Sequence, residues 1–243
     1  MRVDLIPHHG LIDSEDLKGK TAVVIDILRA TSTIISALEN GAAYVIPVET
    51  PTDAEQLAFT DRSIILAGEK EGIKIKGFRL GNSPLEFTPA KVKNKVIAHC
   101  TTNGTKTILK CSGADYVLIG SLLNRSACLD YAGRLKKDIV LVCAGRKNGP
   151  AEEDSLCAGA FAEYLRQNYF GYSFSKISMD AYYLYKINAI NLHDRVYKSP
   201  SGQNLIGMGL KVDIDFCLRK DVYSVVALYK NGVIKKIENN EMY

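Results

Sequence analysis

Acidic, basic and hydroxyl side chains follow four hydrophobic segments of this sequence. Asp26, Arg29 and Thr31 come directly after the apolar residues of VVIDILRATS. Similar clusters follow three later segments: Gly68-Glu69-Lys70, then Thr101-Thr102-Asn103-Gly104 after KVIAHC, then Ala144-Gly145-Arg146 after DIVLVC, with Glu152, Glu153 and Asp154 leading into the next helix. Because ligands of parallel sheets bind beyond the carboxyl ends of the strands, we predict that the four clusters share one site.

The side chains of these clusters suit a metal-assisted reaction on an anion. Five acids offer the hard oxygen ligands that Mg²⁺ prefers, although one ion usually takes only one or two carboxylates. They are Asp26, Glu69, Glu152, Glu153 and Asp154. Arg29 and Arg146 can bind phosphate oxygens in a bidentate manner, and the Thr101 to Gly104 turn offers hydroxyl and backbone N–H donors. Carboxylates that hold a metal beside arginines are typical of a phosphoryl-transfer site.

Each cluster also has a purely structural interpretation. Asp26 could pair with Arg29, but an aspartate directly after AVVI is buried at a free-energy cost, which favours a functional role. The TTNG turn is typical of a helix N-cap, and the acids of EED are favourable in a first helical turn. Glu69 lies in the charged stretch GEKEGIKIKG, and GNSP, with Asn82 and Ser83, is typical of a turn. The sequence alone leaves both interpretations open.

The composition is that of an ordinary globular protein, and its charge balance suits an anionic small molecule as well as a polymer. The chain has 243 residues, 47% of them hydrophobic and 24% charged, and a net charge of +4. Lysine and arginine are scattered, so we expect no nucleic-acid partner. No segment reaches the roughly 18 apolar residues of a membrane span, and Pro7 interrupts any signal-peptide core, so we expect a cytoplasmic protein without a membrane partner. The six cysteines form no CxxC pair, and we expect reduced, buried thiols.

Alternating strands and helices predict an α/β fold from Thr21 to about Gln167. The predicted strands are Ala22 to Ile27, Tyr44 to Val48, Ser63 to Ala67, Lys95 to Cys100, Tyr116 to Ile119 and Ile139 to Cys143. The predicted helices are Thr33 to Asn40, Thr52 to Phe59, Thr105 to Cys111, Arg125 to Leu135 and Asp154 to Asn168. Uniformly apolar strands joined by crossover helices predict a three-layer α/β/α fold with a mainly parallel sheet.

The pattern changes after Gly171. MDAYYLYKINAI predicts a tyrosine-rich helix, SPSGQNLIGMG a capped helix, and Asn231-Gly232 the turn of an antiparallel β-hairpin. We expect this tail to add antiparallel strands to the sheet or to cover one of its ends. The prediction is a single domain over 1–243, with a catalytic core at about 21–168 and a C-terminal extension at 172–243. The tyrosines of AYYLYK could serve the core or a homodimer interface.

Several other chemistries are disfavoured by the sequence. Cys143 lacks the Cys-x5-Arg spacing of cysteine phosphatases, and a buried thiol is the preferred interpretation. His99 lies inside a predicted strand and is interpreted as a satisfied core residue. Leu28 occupies the position where dehalogenase-type phosphatases carry their second aspartate. No GxGxxG or GxxxxGK[ST] follows a strand, which disfavours a nucleotide cofactor.

Four ordered segments resemble one known family. They are VVIDILRATSTIISALENGA, GFRLGNSPLEF, TTNGTKTIL and CAGRKNGPAEEDSLCAGAF, and together they resemble the 2-phosphosulfolactate phosphatase (ComB) family from about residue 21 to 165. QNLIGMGLKVDIDFCLRKD adds a weaker match. The resemblance implies a magnesium-dependent phosphatase with an α/β/α fold peculiar to that family. It also implies hydrolysis of 2-phospho-3-sulfolactate to 3-sulfolactate, a step in coenzyme M synthesis.

We assign expected roles to the polar residues as follows. The expected catalytic residues are Asp26, Arg29, Arg146 and Glu153. The expected substrate-binding residues are Thr31, Asn82, Ser83, Thr101, Thr102, Asn103 and Gly104. The five acids named above are the candidate Mg²⁺ ligands, and the attacking group is either water or Asp26. The alternatives are a phosphatase of a different small phosphorylated acid and a non-catalytic anion-binding protein.

Overall fold

A computed structural model describes residues 1–147 and 149–237 of the chain. Asn148 and residues 238–243, which the predicted single domain includes, lie outside the described residues. The strands are β1 (Arg2–Ile6), β2 (Thr21–Ile25), β3 (Tyr44–Val48), β4 (Ile65–Lys70), β5 (Ile73–Lys74), β6 (Val96–Cys100), β7 (Tyr116–Gly120), β8 (Ile139–Cys143), β9 (Ser173–Phe174), β10 (Ala227–Lys230) and β11 (Val233–Lys236). The helices are α1 (Ala30–Glu39), α2 (Pro51–Thr60), α3 (Pro89–Val92), α4 (Gly104–Lys110), α5 (Arg125–Arg134), α6 (Glu152–Asn168), α7 (Lys176–Asn188), α8 (Leu192–Lys198), α9 (Pro200–Gly207) and α10 (Lys211–Cys217).

Over these described ranges the strands form one sheet in the order β5-β4-β6-β3-β11-β10-β7-β2-β8-β1-β9. It contains two parallel blocks, β4-β6-β3 and β7-β2-β8-β1-β9. The hairpin β10-β11 lies between them through three successive antiparallel pairings. Three reversals make the two blocks run in opposite directions.

The C-terminal hairpin therefore occupies the middle of the sheet. The tail was expected to extend the sheet or to cover one of its ends, and its antiparallel strands instead join the two blocks. Asn231 and Gly232 form the turn with φ of 52° and 82°. Both values are left-handed, as a type I′ hairpin turn requires.

Helices cover both faces of the sheet, as the three-layer prediction requires. Every residue of β2 and β8 is buried. Val23 and Ile25 of β2 pack in one core with residues of α5 and α6, whereas Ala22 and Val24 pack in a second core with residues of α1 and α4. Neighbouring side chains of a strand point to opposite faces of the sheet. A strand with helices packed on both faces is therefore apolar throughout.

The predicted elements are present, with shifted ends. The strand predicted at Ser63 to Ala67 is β4, which continues to Lys70 because it pairs with β5 beyond its contact with β6. Glu69 thus lies within a strand rather than after one. The prediction missed β1, whose burial alternates, and the seven-residue helices α8 and α10, which have no side-chain N-cap.

Two further expectations concern exposure. The six cysteines are free and buried. In the tyrosine-rich helix α7, Tyr185 is buried in the core while Tyr183 is 56% exposed, so the AYYLYK stretch serves both the core and the surface. Within the described residues no helix is long and apolar enough to cross a membrane.

Candidate functional site

A cavity of about 240 Å³ opens at the carboxyl ends of β2, β6 and β8. Among its lining residues are nine that the sequence predicted: Asp26, Arg29, Glu69, Asn82, Thr102, Asn103, Arg146, Glu153 and Asp154. The others are Leu28, Glu71, Gly72, Gly145, Lys147, Ser201, Asn204 and Leu205. The separate clusters of the sequence therefore meet around one cavity, together with a face of α9.

Two helices bring the opposed blocks of the sheet together at this cavity. α1 follows β2 and packs against β3 and β7, while α4 follows β6 and packs against β3 and β2. A typical sheet twist of about 20–25° per strand would accumulate to about 100–125° over the five pairings from β6 to β2, which would turn the blocks far from a flat antiparallel arrangement. The ends of β2 and β6 can then face one point.

Gly104, at the start of α4, permits the closest approach. A Cβ atom at this position would lie 2.6 Å from Asp26 Oδ2 and still closer to the Ala30 side chain. Gly104 does not line the cavity itself. Its lack of a side chain brings the first turns of α1 and α4 together beside Asp26.

Asp26 is anchored by hydrogen bonds from the first turn of α1, most of them to its main chain. Its carbonyl oxygen accepts hydrogen bonds from the backbone N–H and the hydroxyl of Thr31, both at 2.9 Å. Its side-chain Oδ1 accepts a bond from Ala30 N at 3.3 Å. Thr31, which was expected to bind substrate, is fully buried and fixes the Asp26 backbone instead.

Burial, together with the charges of Glu69 and Glu153, raises the pKa of Asp26 to about 7. The Ala30 N–H and Arg29 lower this pKa and offset part of the effect. A carboxyl group with a pKa near neutrality can exchange a proton during a reaction at physiological pH. Asp26 thus has the environment of a reactive or metal-binding group rather than that of a surface acid.

Asp154 and Glu69 have both carboxylate oxygens engaged by the chain. Asp154 accepts bonds from Ile27 N and Gly145 N, each at 3.0 Å, which ties the end of β2 to the end of β8. Burial raises the pKa of Asp154 well above its usual range, and Asp26 and Glu153 add to the rise. Glu69 accepts bonds from Thr102 N at 2.8 Å, from the Thr102 hydroxyl and from Gly72 N. Both acids therefore connect loops that form the cavity wall.

Glu153 and Glu152 are neighbours on α6 with different surroundings. Glu153 lines the cavity and is 2% exposed, and its Oε2 has no hydrogen-bond partner among the described residues. Glu152 accepts a bond from Arg195 Nε at 2.7 Å and is not among the cavity residues. Of the two, only Glu153 lines the cavity.

Arg29 is a buried cation fixed on two sides. Its Nη1 donates to Asp213 Oδ2 at 2.6 Å and its Nη2 donates to the carbonyl oxygen of Gly72 at 3.1 Å. The other oxygen of Asp213 accepts a bond from the Ser83 hydroxyl at 2.7 Å. Ser83, expected to bind substrate, thus bonds to Asp213. Sequence reasoning did not select Asp213, although it lies in the weaker tail match.

Of the remaining predicted residues, some line the cavity and one stabilises an element behind it. Thr101 is buried outside the cavity lining, and its hydroxyl accepts a bond from Thr105 N at 3.1 Å, which stabilises the start of α4. Thr102 and Asn103 line the cavity beside it. Arg146 is exposed at the rim next to Lys147, on a turn closed by a bond from Arg146 N to Gly149 O of 2.7 Å.

Comparison with known proteins gives one consistent result. The family profile described as 2-phosphosulpholactate phosphatase matches residues 7–232. A probable 2-phosphosulfolactate phosphatase of Caldanaerobacter subterraneus subsp. tengcongensis is 42% identical over 229 residues, 93% of this chain and 95% of the relative. Proteins with the same name from Symbiobacterium thermophilum and Caldicellulosiruptor saccharolyticus are 39% and 36% identical. These alignments cover 93% and 98% of this chain and 97% and 100% of the relatives.

Proposed function

Since this chain belongs to the 2-phosphosulfolactate phosphatase family and is therefore a phosphoric monoester hydrolase, we propose that it hydrolyses 2-phospho-3-sulfolactate to 3-sulfolactate and phosphate in a Mg²⁺-dependent reaction. The observation that carries the proposal is the joint placement of Asp26, Glu153 and Arg29 on one small cavity. Buried carboxylates, one of them with an oxygen that has no hydrogen-bond partner among the described residues, suit a metal ion and a phosphate group together when they lie beside a fixed guanidinium.

Asp26 and Glu153 are the residues that would hold Mg²⁺. Within the described ranges no three His, Cys, Asp or Glu side chains form a ready-made metal-binding group. Mg²⁺, however, commonly takes one or two carboxylates and completes its shell with water and substrate phosphate. The buried, unpartnered Oε2 of Glu153 fits this role, because an unpaired buried carboxylate is costly without a cation. Bound there, the ion would polarise a phosphate oxygen and neutralise negative charge.

The cations of the cavity would bind the anionic groups of the substrate. Arg29 is immobilised by Asp213 and Gly72, so its position is set before the substrate arrives, and it neutralises charge on the transferred phosphoryl group. Arg146 and Lys147 at the rim bind the sulfonate or carboxylate. The cavity of about 240 Å³ suits a small acid rather than a nucleotide.

Asp26 acts in one of two ways in this reaction. In the first, its carboxylate removes a proton from the water that attacks phosphorus, the bond between phosphorus and the ester oxygen breaks, and 3-sulfolactate leaves with that proton. In the second, the carboxylate itself attacks phosphorus, the same ester bond breaks, 3-sulfolactate takes a proton from solvent, and water then hydrolyses the aspartyl phosphate to phosphate and free Asp26. The stereochemical course at an isotopically chiral phosphoryl group distinguishes them. Inversion at phosphorus supports the first, because it involves one displacement, whereas retention and a trapped aspartyl phosphate support the second.

The test of the proposal is phosphate release from 2-phospho-3-sulfolactate, measured with Mg²⁺ and with EDTA. We expect turnover with Mg²⁺ and its loss in EDTA. A non-catalytic anion-binding protein would release no phosphate from this substrate, or from an aryl phosphate, under either condition. If 2-phospholactate, which lacks the sulfonate, were hydrolysed with an equal or higher kcat/KM, a different small phosphorylated acid would be the substrate.

A further inference from the structure

His99 of β6 is a buried histidine that contacts a residue of the cavity wall. It is 1% exposed, and its Nε2 lies 3.1 Å from Asn82 Oδ1. Its Nδ1 has no hydrogen-bond partner among the described residues, and its ring packs edge-on against Phe87. His99 is thus not the fully satisfied core residue that the sequence suggested.

The surroundings of His99 determine which ring nitrogen carries the proton. Burial lowers the pKa of His99 to about 4, so the ring is neutral near pH 7 and holds a single N–H. A proton on Nδ1 would leave a buried N–H donor without a partner, whereas a proton on Nε2 leaves only an unpaired acceptor. Orphaned buried N–H groups are the rarer case in folded proteins. The proton therefore belongs on Nε2, which donates to Asn82 Oδ1.

This bond fixes the orientation of the Asn82 amide. Oδ1 of Asn82 faces His99, and the main-chain oxygen of Asn82 accepts a bond from the Thr33 hydroxyl at 2.8 Å. Asn82 also lines the cavity. Because its oxygen bonds to His99, the part of the Asn82 amide left for the cavity is its NH₂ group.

We propose that His99 is a positioning residue that holds the Asn82 NH₂ toward the cavity as a hydrogen-bond donor for an anionic oxygen of the substrate. The proposal rests on the phosphatase function proposed above. A neutral donor is valuable here, because it binds an anion without forming an ion pair with the nearby acids Asp26, Glu69 and Glu153. A donor fixed in advance also requires no rearrangement when the substrate binds.

The first test is the tautomer of His99 in the unsubstituted protein. ¹⁵N NMR of the histidine rings near pH 7 distinguishes a protonated Nε2 from a protonated Nδ1. We expect the proton on Nε2. A proton on Nδ1, or a cationic ring, would overturn the proposal. The measurement needs neither catalytic activity nor a variant that folds.

The second test is a double-mutant cycle on phosphate release from 2-phospho-3-sulfolactate. We expect Asn82→Ala and His99→Leu each to lower kcat/KM about tenfold, and His99→Leu to cause no further loss in the Asn82→Ala background. His99→Gln, which keeps an N–H donor, should restore most of the activity. Losses that multiply in the double variant, or equal losses in His99→Gln and His99→Leu, would contradict the proposal.

A calorimetric titration with inorganic phosphate separates this proposal from the proposed function. If the unsubstituted protein releases no phosphate, the phosphatase function fails, and the same variants are compared by their Kd for inorganic phosphate. The proposal then requires the same pattern: weaker binding in His99→Leu, recovery in His99→Gln, and no additivity with Asn82→Ala. Unchanged binding in His99→Leu would overturn it.

Discussion

Asp26 lies where the first turns of α1, α4 and α6 meet. Ala30 N donates to its carboxylate, Gly104 leaves room for it, and Glu153 faces the same cavity. Helix N-termini favour negative charge, whereas burial and the neighbouring acids oppose it. The raised pKa shows that burial and the acids prevail, which leaves a group that responds strongly to pH and to a bound cation.

The pKa of Asp26 predicts how the metal-free protein responds to pH. The pKa rises from 3.8 to about 7 on folding, so the folded state binds more protons between these values and stability falls as pH rises through this range. In EDTA, we expect the unfolding temperature to fall between pH 5 and pH 8 by several degrees more than in Asp26→Asn, since about 1 kcal/mol corresponds to about 2–4 °C in a chain of this size. If the unfolding temperature fell equally with pH in the unsubstituted protein and in Asp26→Asn, the prediction would be contradicted.

The Arg29–Asp213 pair supports a second prediction at this scale. Both partners are almost fully buried. Asp213→Asn leaves the Arg29 charge unpaired, so we expect a loss of about 3 kcal/mol in unfolding free energy together with a lower kcat/KM. Asp215→Asn on the same helix breaks an exposed pair with Lys211 and should cost less than about 1 kcal/mol. Chemical denaturation of both variants checks this; equal losses would be inconsistent with it.

Residue types predicted the cavity better than they predicted individual roles. Asp26 and Glu153 were selected because a buried acid is costly without a functional role and because acids are suitable Mg²⁺ ligands. Both residues line the cavity. The hydroxyls of Thr31, Ser83 and Thr101 instead bond to the protein itself. A sequence cannot distinguish these roles. A serine or threonine whose hydroxyl bonds to the protein itself has the same residue type and the same position after a strand as one whose hydroxyl binds a ligand. Asp213 was missed because its partner Arg29 is far away in the chain.

At the scale of elements, the contact between α1 and α4 positions the site. Gly104→Ala would place a methyl group against Ala30 and Asp26 Oδ2. We expect it to destabilise the protein by about 1–3 kcal/mol, as overpacked cores do, and to reduce phosphate release by displacing Asp26. Gly207→Ala, at the end of α9, meets no atom within 4 Å and should be neutral or slightly stabilising. Thermal unfolding and kcat/KM of both variants test this; an inactive Gly207→Ala beside an active Gly104→Ala would refute it.

Local pattern was sufficient for the elements of the repeating core. Uniformly apolar strands such as β2 and β8 are unambiguous, and α2 begins at Pro51, which the sequence marks as a helix start. The helices α8 and α10 are short and uncapped, and β1 is buried on one face only. These elements depend on tertiary packing, which a local pattern does not encode.

At the scale of the whole molecule, the C-terminal hairpin joins the two halves of the sheet. Its turn was predictable from Asn231-Gly232, but its position between β3 and β7 was not, because strand order depends on contacts between distant segments. Nine of the residues expected at one shared edge line one cavity, although the two blocks run in opposite directions. The packing of α1 and α4 brings their ends together.

The central position of the hairpin predicts a large effect of its core residues. Ile234 of β11 is fully buried, whereas Ile73 of the edge strand β5 is 64% exposed. Ile234→Ala should cost about 2–5 kcal/mol, as buried large-to-small substitutions do. Ile73→Ala should change stability by less than about 0.5 kcal/mol. Chemical denaturation provides the comparison, and a similar cost at both positions would mean that the hairpin is peripheral.

The central claim is that one cavity holds both the metal-binding carboxylates and the phosphate ester. The most direct test is phosphate release from 2-phospho-3-sulfolactate by Glu153→Gln and Glu152→Gln, which alter adjacent acids of the same helix. Glu153→Gln should lose at least about 100-fold in kcat, because it removes a buried carboxylate that faces the cavity. Glu152→Gln, which removes only a pairing with Arg195, should stay within about threefold of the unsubstituted protein. Full activity in Glu153→Gln, or an equal loss in Glu152→Gln, would contradict the account.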